Sequence, residues 1–410
     1  MSSIVRFGTD SAVELEFADG ALVAECGVPR ARALDAPAQA VARALAEPLD
    51  YPPLGKSTTP GDRVVVVLGH DVPQAAEVVG GLIRYLADNG VAPDGIGVLR
   101  SGGDLEAGGA ELLRELPPDW QQRIALLIHD PADRGRLAYL AATSAGEPIL
   151  LNRAIIDADV VLPVGCAGPR SGPGRFSVHG LIYPAFSDEQ TLLRFRAAQP
   201  VEAAGGPRRR VIEEVNEVGW LLGVTFAVQV VPGPGDRILH VLAGEVEAVA
   251  RRSRELYRQA WSWSVPRRAS LVLATMEGGF GQQTWHNFAQ CVAAAVPLVE
   301  EGGAIAVCSS LSAEPGPGIR RLVGARSRQA ALRQVQKEKL EDARQAAQLA
   351  QALEWARVYL LSGLDHELLE ELEIAPIADA AELARLVARH ETCILLANAH
   401  LSMVSVAAED

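Results

Sequence analysis

The chain has 410 residues with a formal net charge of -13, 49% hydrophobic residues and 22% charged ones. That length and balance predict a soluble protein of two or three domains, and they exclude disordered, collagenous and disulfide-stapled classes. The acidic surface disfavours nucleic-acid and anionic-membrane partners, and of the 38 basic residues only Lys56, Lys337 and Lys339 are lysines.

The first strong element is the run Arg63 to Leu68, introduced by Pro60-Gly61-Asp62 and followed by helical apolar spacing from Ala75 to Leu86. Comparable runs recur at Ile96 to Leu99, Ile124 to Ile128, Val160 to Val164, Leu271 to Ala274, Ala304 to Cys308, Val358 to Leu361 and Cys393 to Leu396. Continuous apolar runs alternating with amphipathic helices are the signature of a mainly parallel sheet buried on both faces, so the fold class is α/β. Two segments break the alternation. Thr225 to Leu242 reads as an antiparallel hairpin around Pro232-Gly233-Pro234-Gly235-Asp236. Arg321 to Leu361 reads as one long amphipathic helix or two joined ones, ahead of the strand at its end. The helix that ends near Pro266 places a boundary there, giving domains 1–265 and 266–410.

The five cysteines form no C-x-x-C pair, so no thiolate zinc site is indicated and a reducing, cytoplasmic setting is expected. Neither a signal peptide nor an apolar run of membrane-spanning length is seen. No histidine pair has helical metal-ligand spacing. His240, His366 and His390 read as structural, whereas His70, His129, His179 and His286 could face a shared cleft. Glycine turns follow two strands, at Gly102-Gly103 and Gly278-Gly279, without dinucleotide-binding spacing. The segment Val164 to Thr191 holds Gly165, Gly168, Gly172, Gly174 and Gly180 together with Arg170, Arg175, Ser177 and His179; its first half has no apolar period, and so long a loop in a compact domain is usually functional.

The order of these segments resembles the nickel-dependent lactate racemases, the LarA-like family, and their 2-hydroxy-acid epimerase relatives. The likeness is carried by EPLDYPPLGKSTTPGDRVVVVL, by HDPADRGRLAYLAATSAGEPILLNRAIIDADVVLPVG, by FSVHGLIYPAFSDEQT, and by VTFAVQVV, LVLATMEGG and VPLVEEGGAIAVCSS downstream. It implies two α/β domains with a cleft between them. It also implies a nickel pincer nucleotide linked covalently to a loop lysine, a histidine ligand on the nickel, and two histidines that move the substrate's proton.

Set on this chain, those groups change identity. The family's Asp-x-Thr-Arg-Pro becomes Gly69-His70-Asp71-Val72-Pro73, and its Gly-Thr-His turn becomes Gly102-Gly103-Asp104. Its Pro-His becomes Pro169-Arg170, and its cofactor loop becomes Ser177-Val178-His179-Gly180, one residue short and without lysine. The nickel-ligating histidine falls on Arg196 and the substrate-contacting lysine falls near Gln290. Guanidinium, always protonated, can be neither the nucleophile for cofactor attachment nor a base. No cofactor and no metal are therefore expected. Arginine forks recognise carboxylate and phosphate, so Arg170, Arg175 and Arg196, with Ser177 and His286 as polar contacts, are the expected binding set for a small anion. Two alternatives stay open. One is an active enzyme on 2-hydroxy acids in which His179 or His129 is the base and Asp104 or Asp71 its partner. The other is a structural partner within an oligomer of active paralogues; a homo-oligomer is equally compatible with the composition.

Overall fold

The computed structural model describes residues 1–102, 109–143, 146–169, 178–197 and 206–407. In chain order its strands are β1 (Ser2–Phe7), β2 (Ser11–Glu16), β3 (Leu22–Cys26), β4 (Val64–Leu68), β5 (Ile96–Ser101) and β6 (Ala125–His129). There follow β7 (Leu137–Ala142), β8 (Pro148–Asn152), β9 (Val160–Cys166), β10 (Phe226–Pro232), β11 (Ile238–Glu245) and β12 (Ser262–Val265). The last are β13 (Ala269–Thr275), β14 (Val299–Cys308), β15 (Arg357–Leu361), β16 (Ala375–Pro376), β17 (Cys393–Leu396) and β18 (Met403–Val406).

Two compact units result. The first comprises Met1–Arg30, Pro234–Asp236 and Arg258–Asp410; the second comprises Ala31–Gly233 and Arg237–Tyr257. This differs from the single cut at residue 265, because the first thirty residues join the C-terminal unit. β3 pairs in parallel with β17, and the β1–β2 hairpin buries Val5, Phe7 and Leu15 against the same sheet.

The second unit is built on a sheet of order β11-β10-β9-β4-β5-β6. β10, β9, β4, β5 and β6 run parallel, and β11 returns antiparallel, as the Pro-Gly turn predicts. All five residues of β4 are buried, because alternate side chains enter two different cores. Val64, Val66 and Leu68 meet the helix Ala75–Asp88 through Val78, Val79, Leu82 and Ile83. Val65 and Val67 meet Ile182, Tyr183, Phe195 and Val218 on the other side.

The first unit repeats this logic with an all-parallel sheet of order β16-β15-β14-β13-β17-β3. Val272 and Ala274 face Phe288 and Leu349, while Leu271 and Leu273 face Phe7, Leu15 and Leu383. The segment before β15 is two helices, Arg328–Glu338 and Ala343–Trp355. Lys339, in the left-handed conformation at φ 54, ends the first of them. Among the described residues no helix is long and apolar enough to cross a membrane.

Candidate functional site

In an open parallel sheet, ligands bind outside the strand carboxyl ends where the chain order reverses, since the connections on either side diverge and leave a crevice. In the second unit that reversal lies between β4, which continues to β5 and β6, and β9, which continues to β10. The short 3-10 turn Val178–Leu181 sits there. A Cβ on Gly165 would come within 2.3 Å of Leu181 Cδ1, so a side chain there would displace Leu181 from the strand end, while one on Gly69, at 3.3 Å from Leu181 Cδ2, would make a tight contact.

The helix Gly206–Leu221 holds this turn through two sets of contacts. His179 Nε2 lies 3.2 Å from the Val224 carbonyl oxygen, which only accepts, so this nitrogen donates. His179 Nδ1 lies 3.4 Å from Asn216 Oδ1. A Cβ on Gly219 would fall 2.3 Å from the imidazole carbons. Gly219→Ala is therefore expected to push the ring off the helix and cost about 1–3 kcal/mol, read as a lowered denaturation midpoint together with shifted His179 imidazole resonances.

The second set is a triad that the sequence gives no hint of. Tyr183, fully buried, donates its hydroxyl to Glu214 Oε1 at 2.6 Å. Arg194 donates to Glu214 Oε2 at 2.8 Å and to the Tyr183 oxygen at 2.7 Å. Burial pushes the Glu214 carboxyl up, but the hydrogen bonds from Arg194 and Tyr183 and the arginine's charge outweigh it and hold the group below its ordinary value. Burial first, then Glu214, pushes the Tyr183 phenol far up. The hydrogen bond to Glu214 raises Arg194, so the triad is one ion pair bridged by a neutral phenol.

The residues nominated from sequence divide as follows. Asp104, Arg170, Arg175 and Ser177 lie outside the described residues. Arg196 is exposed on the helix Glu189–Ala197, and His70 is exposed just beyond β4. His129, at the carboxyl end of β6, is buried. Its Nε2 donates to the Ser187 carbonyl at 2.9 Å and its Nδ1 lies 3.2 Å from Asn152 Nδ2, which donates. Phe186 packs on the ring at 5.4 Å. Both nitrogens are thus engaged in holding β6 and β8 to the Ser187 turn.

Burial lowers the His129 pKa, with Ser187 and Asp130 opposing. A histidine that stays neutral when folded takes up its proton on unfolding, so stability is lost as pH falls below the unfolded value of about 6.5. Chemical denaturation at pH 7.5 and 5.5 should show a lower midpoint at the acid pH, and His129→Gln should shrink the difference.

His70, His129 and His179 belong to the second unit and His286 to the first. His286 opens the helix Trp285–Ala295 and accepts at Nδ1 from Gln345 Nε2 at 3.1 Å. Gln290 is buried in the same helix. This helix follows the glycine turn after β13, where the first unit has its own reversal, between β13 and β17. Asn398, buried and left-handed at φ 47, donates to Glu277 Oε1 at 2.6 Å and takes Thr275 Oγ1 at 3.3 Å through its backbone amide. Asparagine adopts the left-handed conformation at little cost, and its side chain ties this strand end to Glu277. Burial raises the Glu277 carboxyl, with Asn398 and Arg6 opposing.

The racemases' nickel pincer nucleotide needs an amine and a set of metal donors. The donors on the 178–181 turn are a backbone-anchored imidazole and no amine. Among the described residues no group of three His, Cys, Asp or Glu side chains is placed to hold a metal ion. The 178–181 turn therefore offers no amine for that attachment.

Residues 7–171 match the family model of the lactate racemase N-terminal domain. Comparison with curated protein sequences gives no match. Among solved structures, the lactate racemase apoprotein from Thermoanaerobacterium thermosaccharolyticum superposes with a TM-score of 0.76 at 16% identity, over 98% of this chain and 100% of that one. A protein from Thermotoga maritima superposes with a TM-score of 0.67 at 13% identity, over 92% of this chain and 100% of its own. Residues 7–171 thus match the lactate racemase N-terminal domain, and nearly the whole chain shares the fold of the lactate racemase apoprotein.

Proposed function

We propose that this LarA-like protein has left nickel-pincer racemisation and serves as a cofactor-free binder of a small carboxylated or phosphorylated anion. The observation that carries the reading is the absence of any lysine between Lys56 and Lys337, because no other side chain supplies the amine for the family's covalent attachment. Arg170 and Arg196, at positions where the family resemblance places histidines, with Arg175 near Arg170 in sequence, supply bidentate donors for carboxylate or phosphate. Ser177 adds a hydroxyl, and in an otherwise acidic chain such a cluster favours a small anion over nucleic acid or a membrane. All five cysteines are unpaired thiols, which suits a reducing, cytoplasmic compartment. Both His129 nitrogens are hydrogen-bonded, which weighs against it as the base of the enzymatic alternative.

The test has two arms. Incubation with L-lactate should give no D-lactate. Titration with L-lactate or inorganic phosphate should show binding that Arg196→Ala weakens by about tenfold, the worth of one charge-assisted hydrogen bond. Steady interconversion of the lactate enantiomers would overturn the reading.

A further inference from the structure

In the first unit, a cavity of about 380 Å³ opens outside the carboxyl ends of β14 and β15. Its apolar wall is Phe7, Val13 and Leu361, and its polar wall is Ser309, Ser310 and Ser362. None of the residues lining it is charged.

The polar wall is fixed from behind. Ser309 donates its amide to the Leu361 carbonyl, Ser310 to Gln283 Oε1, and Gly363 to the Leu311 carbonyl, each at 2.9 Å. Gln283 is itself buried, and its amide nitrogen donates to the carbonyls of Met276 and Gly278, which ties the wall to the glycine turn after β13. The three hydroxyls differ in what they have left to offer. Ser309 Oγ is committed, donating to Leu361 O at 3.4 Å and accepting from Leu311 N at 3.3 Å. Ser362 Oγ accepts from Leu364 N at 3.3 Å, which leaves its proton to give. Ser310 Oγ has no hydrogen bond among the described residues.

We infer that this cavity is a binding site for a small neutral polyol. An ionic ligand would find no counter-charge on the wall to offset the water it gives up. A hydrocarbon would strand the two available serine hydroxyls. A compact molecule with hydroxyls on one side and a carbon face on the other satisfies both walls, and the volume lies in the range of small-ligand pockets. The site uses none of Arg170, Arg175 or Arg196, so it stands or falls separately from the anion reading.

Ligand-observed saturation transfer and amide NMR on the full chain test it, with myo-inositol and glycerol as neutral probes and L-lactate and phosphate as charged ones. myo-Inositol should bind and shift the Ser310 and Gly363 amides. Gly363→Leu puts a side chain on a residue that lines the cavity, and the nearest atom to its Cβ, in Ser312, is 3.4 Å away, so the backbone tolerates the change. That variant should lose the shifts altogether. Should it fail to fold, Ser310→Ala combined with Ser362→Ala is the substitute, expected to weaken binding by about tenfold for two lost hydrogen bonds. The inference is overturned if neither polyol moves those amides, if only lactate or phosphate moves them, or if a folded variant binds as the native chain does.

Discussion

Glu214→Ala should lower the unfolding free energy by about 2–3 kcal/mol. Removing one member of a buried ion pair typically costs about 3–5 kcal/mol, since its partner is left without a counter-charge. The lower range applies because the Arg194 side chain is 38% exposed, and water screens what it loses. Tyr183, with no exposure of its own, loses the acceptor for its hydroxyl and keeps only the arginine's donor. Tyr183→Phe should cost only about 1 kcal/mol, because the Arg194 to Glu214 pair survives it. The two substitutions share partners, so the double variant should fall short of their sum. The pH dependence has a definite sign. Glu214 is held below its ordinary value when folded, so its contribution is complete above the ordinary glutamate range, about 4.3, and fades as the pH falls through the lowered value. Urea denaturation of both variants at pH 7 and pH 4 reads all of this.

Phe288→Ala should be the more costly change, at about 3–5 kcal/mol, the range for an aromatic truncated in a packed core. Phe288 has no exposed surface and meets the Trp285 ring edge-on at a centroid distance of 5.5 Å. It fastens the helix Trp285–Ala295 to the β13 face, and that helix continues directly from the glycine turn. With two compact units, unfolding need not be one transition. Probes in each unit should show the loss confined to the transition of the first unit, and a shift of both would mean that the units unfold together.

The fold was readable from sequence wherever one strand supplied one unbroken signal. Val64 to Leu68 and Leu271 to Ala274 are apolar throughout because both faces of each strand are covered, and no other local structure asks for that pattern. The N-terminal strands were missed because β1 and β2 lie on the sheet rather than in it. β1 alternates buried and exposed residues, which over so few positions stands out little from a loop. Nothing local to residues 22–26 says that they pair with residues 393–396; that is a long-range fact, as is the domain boundary that follows from it. The same limit applies at the site. The switch between β4 and β9 is a property of strand order and has no motif. The triad draws on Tyr183, Arg194 and Glu214 from separate elements. His129 stands beside an aspartate at a strand end, as a general base could, and only Asn152 and Ser187, brought from elsewhere in the chain, show that both its nitrogens are engaged. Absences were easier to read than positions, since a missing lysine needs no fold to be counted.

That absence makes the account open to one direct measurement. Intact-mass spectrometry combined with elemental analysis of the protein purified from its native cell examines the whole chain at once. The account predicts the unmodified 43.5 kDa polypeptide with nickel well below one atom per chain. A covalent adduct of nucleotide mass together with stoichiometric nickel would contradict it, and would mean that a side chain other than lysine carries the cofactor.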